Sequence, residues 1–217
     1  MKNLFKIIIY MTVITACLPI VATLFIKPDR TKWQKHEKVE NSINSAFLVI
    51  IYDEKGTFEY LPEDIVPFMA ASIVPYNLIS EADDESAVNE YYKALTVVCR
   101  TNLVKVWKDE GCPQMLDYAK TSLSEIVLTE NTSELSKLVE ASNATSGVVI
   151  TDNISNDKDG EVIAAPFFTS TEGDILANEA GNGVGLSLNF ALIKAQEGLD
   201  FVAILQSFYE GMGLSVL

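Results

Sequence analysis

Read from its N-terminus, the chain opens with a long apolar run, passes through a polar stretch, and then settles into shorter apolar segments separated by acidic connectors. Residues 7–26, IIIYMTVITACLPIVATLFI, carry no charge over 20 positions. As a helix they would cover about 30 Å, the thickness of a bilayer's hydrocarbon core. A cleaved signal peptide has a shorter apolar core and small residues at its cut site, so residues 1–26 predict an uncleaved signal anchor. Residues 27–45, KPDRTKWQKHEKVENSINS, lack a repeating apolar face and predict a juxtamembrane linker. From residue 46 to residue 217 the pattern is that of one folded domain. AFLVIIY (46–52), the turn DEKG and the alternating TFEYL (57–61) predict a β-hairpin. LPED places acids in the first turn of a helix that continues through IVPFMAASIV (65–74), with Pro67 still in its early turns.

The acidic SEADDESAVNE (80–90) turns helical toward its end. Tyr92, Leu95, Cys99, Leu103 and Val106 then recur at helical spacing, predicting a long helix that stops at Gly111. Residues 114–128 and 132–142 predict further helices. GVVIT (147–151) and EVIAAPFF (161–168) predict strands around a loop rich in Asn and Asp. Near the C-terminus, Ser187 caps a helix that ends at Gly198. Asp200 caps another, with Phe201, Ile204, Leu205 and Phe208 on one face. Strands and helices do not strictly alternate, so the predicted class is α+β.

Charge and composition narrow the functions open to such a domain. The formal net charge is −14, and because residues 1–26 hold two lysines and no acid, the rest carries 14 bases against 30 acids. A domain this acidic does not bind nucleic acid by releasing counterions. The single histidine, His36, lies in the linker, which leaves the domain without a Ser-His-Asp triad or a zinc site of the usual His/Cys kind. No metal and no cofactor are expected. Cys99 and Cys112 make no disulfide framework, and Cys99 reads as an apolar residue on a helix. Orientation stays open on charge alone. Lys2 and Lys6 precede the apolar run while Lys27, Arg30, Lys32, Lys35 and Lys38 follow it, and the positive-inside rule would leave the C-terminus in the cytoplasm. ITAC at 14–17 also resembles a lipobox, which would make Cys17 a lipidation site.

The stretch GNGVGLS (181–187) places glycines before a helix, a pattern often used to cradle phosphate. It follows no convincing strand, has no GK[ST] and leaves some thirty residues after it. The spacing therefore favours glycines that permit a positive φ or a close backbone approach.

Four segments, in order, resemble the stage II sporulation protein D/LytB amidase-enhancer family. GNGVGLSLNFALIKAQEG is similar to that family's GHGVGMSQYGA and the helix after it. LPEDIVPFMAASIVP resembles LPLEEYVVGVVAAEMP. YYKALTVVCRT resembles ALKAQAVAART, matching Lys93, Ala94, Val97, Arg100 and Thr101. NATSGVVIT followed by APFFTSTEG resembles an AT-x-G strand and an HSTSGG loop. The resemblance spans about residues 46–217. It implies a membrane-anchored, extracytoplasmic domain that works on peptidoglycan glycan strands as a lytic transglycosylase and stimulates a partner cell-wall amidase. It also implies a glycan-binding cleft built from Ser72, Lys93, Arg100, Thr169, Ser170, Gly181, Asn182, Gly183, Gly185 and Ser187.

The sequence departs from that family where the chemistry is done. The acid that would protonate the glycosidic oxygen is the glutamate of AAEMP, and Ser72 stands there. Losing a general acid costs about 10²–10⁴-fold in rate. The family histidines are replaced near Thr169 and at Asn182, the glutamine after the serine is Leu188, and a long insertion between the two glycine loops is missing. Glu63 and Asp64 read as helix N-terminal charges, and Glu172 is the other candidate acid. Three readings follow: a non-catalytic glycan or amidase binder, a transglycosylase with a relocated acid, and a structural partner in an envelope complex.

Overall fold

The computed structural model of the protein describes residues 43–53, 56–80, 84–126, 128, 134–152, 160–168, 185–209 and 211–217. Among them no helix is long and apolar enough to cross a membrane. The expected anchor, 1–26, and residues 27–42 of the expected linker lie outside the described residues. The described part belongs to one compact unit, and Ile43 and Phe47 already sit in its core.

The architecture mixes helices with short strands, as the pattern required. Strands β1 (Leu48–Asp53) and β2 (Gly56–Tyr60) form the predicted hairpin, with Val49 opposite Tyr60. Helix α1 (Pro62–Ile73) follows at once, then a single turn, α2 (Tyr76–Ile79). Helix α3 (Glu85–Asp109) runs for 25 residues and carries most of the core. Asp84 caps it by accepting from the Ser86 N–H, and Gly111, at φ +81°, turns the chain away beyond its end. Ala94, Leu95, Val97, Val98, Leu103 and Val104 on α3 have no exposed surface. Burial of such a stripe, rather than intrinsic propensity, is what holds a helix of this kind in place.

Residues 114–128 do not form the expected helix. They give strand β3 (Met115–Asp117), parallel to β1, and two short 3₁₀ turns, Tyr118–Lys120 and Ser122–Glu125. Leu116 pairs with Val49 and both are buried, so satisfying the open edge of β1 overrides the helical spacing. The three-stranded sheet has the order β2-β1-β3. Helix α4 (Leu135–Ala144) and strand β4 (Val148–Thr151) agree with the sequence. EVIAAPFF yields only an isolated bridge at Val162 and the two-residue strand β5 (Phe167–Phe168). Strand β6 (Leu186–Ser187) lies parallel to β5. Helix α5 (Leu188–Gln196) is capped by Ser187 and helix α6 (Phe201–Phe208) by Asp200, both as expected. A terminal strand, β7 (Gly213–Val216), pairs antiparallel with β4. The α3 helix is the hub: α1, α4, α5, α6 and β4 all pack against it.

Candidate functional site

The site begins with what helix α1 leaves uncovered. Ile65, Val66, Met69, Ala70, Ala71 and Ile73 are buried, while Asp64 is exposed and Glu63, Phe68 and Ser72 are half-buried. Asp64, Phe68 and Ser72 are four residues apart, so they form one stripe along the helix. At 1.5 Å per residue, Ser72 lies about 12 Å along the axis from Asp64. Leu61 cannot cap this helix with its side chain. Asn44 does so from a distance, its Oδ1 accepting from the Glu63 N–H at 3.0 Å.

An open groove of about 490 Å³ runs over the Asp64 end of the stripe, lined by Asn44, Tyr60, Glu63, Asp64, Pro67, Phe68, Val139, Asn143 and Ser146. Tyr60 and Phe68 meet edge to face, with ring centroids 6.3 Å apart and planes 68° apart. Only Glu63 and Asp64 in this lining carry formal charge.

The charge of Glu63 is cancelled from behind. Arg100 on α3 is wholly buried, and its Nε donates to both Glu63 carboxylate oxygens at 2.9 and 3.0 Å, with Nη2 donating to Oε2 at 2.7 Å. Nη2 also donates to the carbonyl and hydroxyl oxygens of Ser142 at 3.0 and 3.1 Å. Nη1 reaches the Val148 carbonyl at 3.3 Å and Thr145 Oγ1 at 3.4 Å. Glu63 Oε1 accepts in addition from the Gly147 N–H at 2.9 Å. Every donor of the guanidinium is thus placed, as a charge taken out of water requires. The motif match placed Arg100 in a glycan cleft. The structure instead puts its side chain in the interior, because Glu63 and the end of α4 supply a complete set of acceptors there. With both oxygens of Glu63 held by donors, neither is placed to pass a proton to a substrate.

Ser72 occupies the other end of the stripe. Its hydroxyl donates to the Phe68 carbonyl at 2.9 Å, one turn back along its own helix. Lys93 is half-buried and pairs with Glu90 at 2.6 Å, while Glu90 Oε2 also accepts from the Phe201 N–H that opens α6. Lys93 thus helps fasten α3 to α6. Gly185 and Ser187 stand at the root of the glycine loop. Gly185 has φ +138°, and a Cβ there would fall 2.5 Å from the Pro166 carbonyl oxygen, so close approach is what this glycine permits. That carbonyl accepts from the Leu186 N–H at 2.9 Å and from the Tyr209 hydroxyl at 2.7 Å. Ser187 is buried and accepts from the Phe190 N–H as the cap of α5. Thr169, Ser170, Glu172, Gly181, Asn182 and Gly183 lie outside the described residues.

Sequence reasoning missed Asn44, Tyr60, Phe68, Asn143 and Ser146 as groove residues. It also missed the pairing of Glu63 with Arg100. The legible signal was an arginine set within the apolar stripe of α3, which demands a buried acid. Cys99 is buried and Cys112 exposed, both as free thiols. Burial pushes the Cys99 thiol up to about 12, with the nearby Arg100 charge pulling the other way. No cluster of three His, Cys, Asp or Glu side chains suited to a metal occurs among the described residues. No protein-family model matches the sequence, and no curated protein matches it.

Proposed function

We propose that the chain is a divergent wall protein of the stage II sporulation protein D/LytB type, anchored by residues 7–26 with its domain outside the membrane. In this reading it binds peptidoglycan glycan, or stimulates a partner amidase, and does no transglycosylase chemistry of its own. The observation that carries the reading is the residue at the family's acid position. Ser72 lies on the uncovered stripe of α1, where a passing sugar chain could meet it, and its hydroxyl is turned back to the Phe68 carbonyl. A serine hydroxyl is far too weak an acid to protonate a glycosidic oxygen. The mixed helix and strand architecture, the capped helices after Ser187 and Asp200, and the close approach at Gly185 are compatible with it.

The test uses the full chain in detergent micelles with purified glycan strands stripped of stem peptides. Co-sedimentation with the strands, without release of anhydro-muramic ends, is the expected result. Release of such ends, abolished by Glu172→Gln, would replace this reading with the relocated-acid transglycosylase. Failure to co-sediment, together with no effect on amidase rate, would leave the structural-partner reading in its place.

A further inference from the structure

The groove over the first turns of α1 has a chemistry of its own. Its lining holds two carboxylates, but Glu63 is neutralised by Arg100 at 2.7 Å. Asp64 is exposed and, among the described residues, has no ion pair. The helix N-terminus beside it carries only about half a positive charge, and that falls off within the first turn. One of its free N–H groups is already taken by Asn44. The groove is therefore left with a net negative potential. Beside that carboxylate the Tyr60 and Phe68 rings, packed edge to face on one another, line the same groove. A ring face attracts a cation within about 6 Å of its centroid. The neutral remainder, the amides of Asn44 and Asn143 and the hydroxyl of Ser146, supplies acceptors for N–H donors.

A planar cation with several N–H groups uses all three elements at once: it stacks on the ring, forks onto the carboxylate and donates its remaining protons to the amides. A compact ammonium uses the charge but not the plane. A neutral sugar uses the ring and the amides but gains nothing from the uncompensated charge. We propose that this groove is a docking site for an arginine side chain presented by a protein partner, with Asp64 as the anion, Tyr60 and Phe68 as the stacking surface and Asn44 and Asn143 as the flanking acceptors. The strongly acidic surface, with net charge −14, suits a basic partner and would speed its approach. The inference deepens the amidase-stimulating reading above, since it names the chemistry by which a partner would be held.

The probes are butylguanidinium, butylammonium and diacetylchitobiose, titrated onto the isotopically labelled full chain in micelles and followed by NMR shifts. Butylguanidinium should move the resonances of Asn44, Tyr60, Asp64, Phe68 and Asn143 together. Asp64→Asn and Phe68→Leu should each weaken it by about three- to five-fold, the scale of one exposed ion pair or one exposed cation–ring contact. Both substitutions are at exposed or half-exposed positions, so the fold remains as an internal control through the shifts of α3. Equal or tighter binding of butylammonium would overturn the arginine assignment in favour of an amine of the wall peptide. Displacement of butylguanidinium by diacetylchitobiose at the same residues would overturn it in favour of a sugar subsite. Shifts unaffected by Asp64→Asn would overturn it outright. Glycan co-sedimentation by the Asp64→Asn chain is scored separately, so loss of the groove ligand with retained glycan binding tells the two readings apart.

Discussion

Glu63 and Asp64 are neighbours in sequence and opposites in use. Both sit in the first turn of α1, yet one points inward to a wholly buried arginine and the other outward into an open groove. The difference comes from the helix itself: consecutive residues are rotated by about 100°, so of two adjacent acids that line one groove only Glu63 is turned toward Arg100. The inner acid belongs to a closed polar cluster in which Glu63 accepts from Arg100 and the Gly147 N–H, while Arg100 also donates to Ser142 and Thr145. The outer acid belongs to a surface on which nothing in the described chain compensates its charge.

The largest effect should come from breaking the closed side. Glu63→Ala leaves a fully buried guanidinium without its anion and should cost about 3–5 kcal/mol in urea unfolding. Arg100→Met should cost less, because Glu63 retains some contact with water. The double variant should cost clearly less than the two single changes combined, since each single change strands the other's charge. Additive losses would show that the pair does not act as a unit. A smaller loss, about 1–3 kcal/mol, is expected for Thr145→Val, whose hydroxyl sits 3.1 Å from Thr96 Oγ1 and accepts from Arg100.

The closed side should also set the alkaline limit of the fold. The Cys99 thiol is pushed up to about 12 by burial, and burial pushes the hydroxyls of Tyr92, Tyr118 and Tyr209 upward as well. A group that ionises later in the folded chain holds its proton there while the unfolded chain has lost it. Stability is then intact below pH 9, the ordinary thiol value, and falls as pH rises from 9 toward 12. The slope approaches about 1.4 kcal/mol per pH unit for each such group. Stability of Cys99→Ala measured from pH 8 to pH 11 should decline less steeply than that of the parent. An identical decline would remove Cys99 from the account.

The open side should be nearly silent in the same assays. Asp64→Asn removes a first-turn charge and should change stability by about 0.5 kcal/mol or less. Thermal melts of this variant that fall by several degrees would mean that Asp64 is part of the framework, which would erase the contrast with Glu63.

Much of this arrangement could be read from the residues alone. The hairpin, α1, the long α3, β4 and both C-terminal helices carry local signals strong enough to survive folding: an alternating strand, an apolar stripe, Ser187 and Asp200 as caps. What failed was non-local. Residues 114–128 have helical spacing, but the open edge of β1 pairs Leu48–Ile50 with Met115–Asp117 and draws that segment into a strand. Strand β7 is too short and too rich in small residues to announce itself, and forms because β4 offers it a ladder. The expected site residues fall in differing surroundings. Ser72 falls on the half-buried stripe of α1, with its hydroxyl bonded back to the Phe68 carbonyl. Arg100 is wholly buried against Glu63, while Lys93 is half-buried in its pair with Glu90. The groove combines Asn44, Tyr60, Phe68 and Asn143 from four separate segments, and no spacing rule links residues whose only relation is tertiary.

The parallel contact between Phe167–Phe168 and Leu186–Ser187 holds the exit and the return of the intervening chain side by side, under the shared grip of the Pro166 carbonyl. One oxygen thus ties three stretches of chain together, because the Tyr209 hydroxyl that donates to it also accepts from the Leu186 N–H. Tyr209→Phe, which deletes that shared hydroxyl, should therefore loosen the β5–β6 ladder and the end of α6 in a single step rather than one at a time.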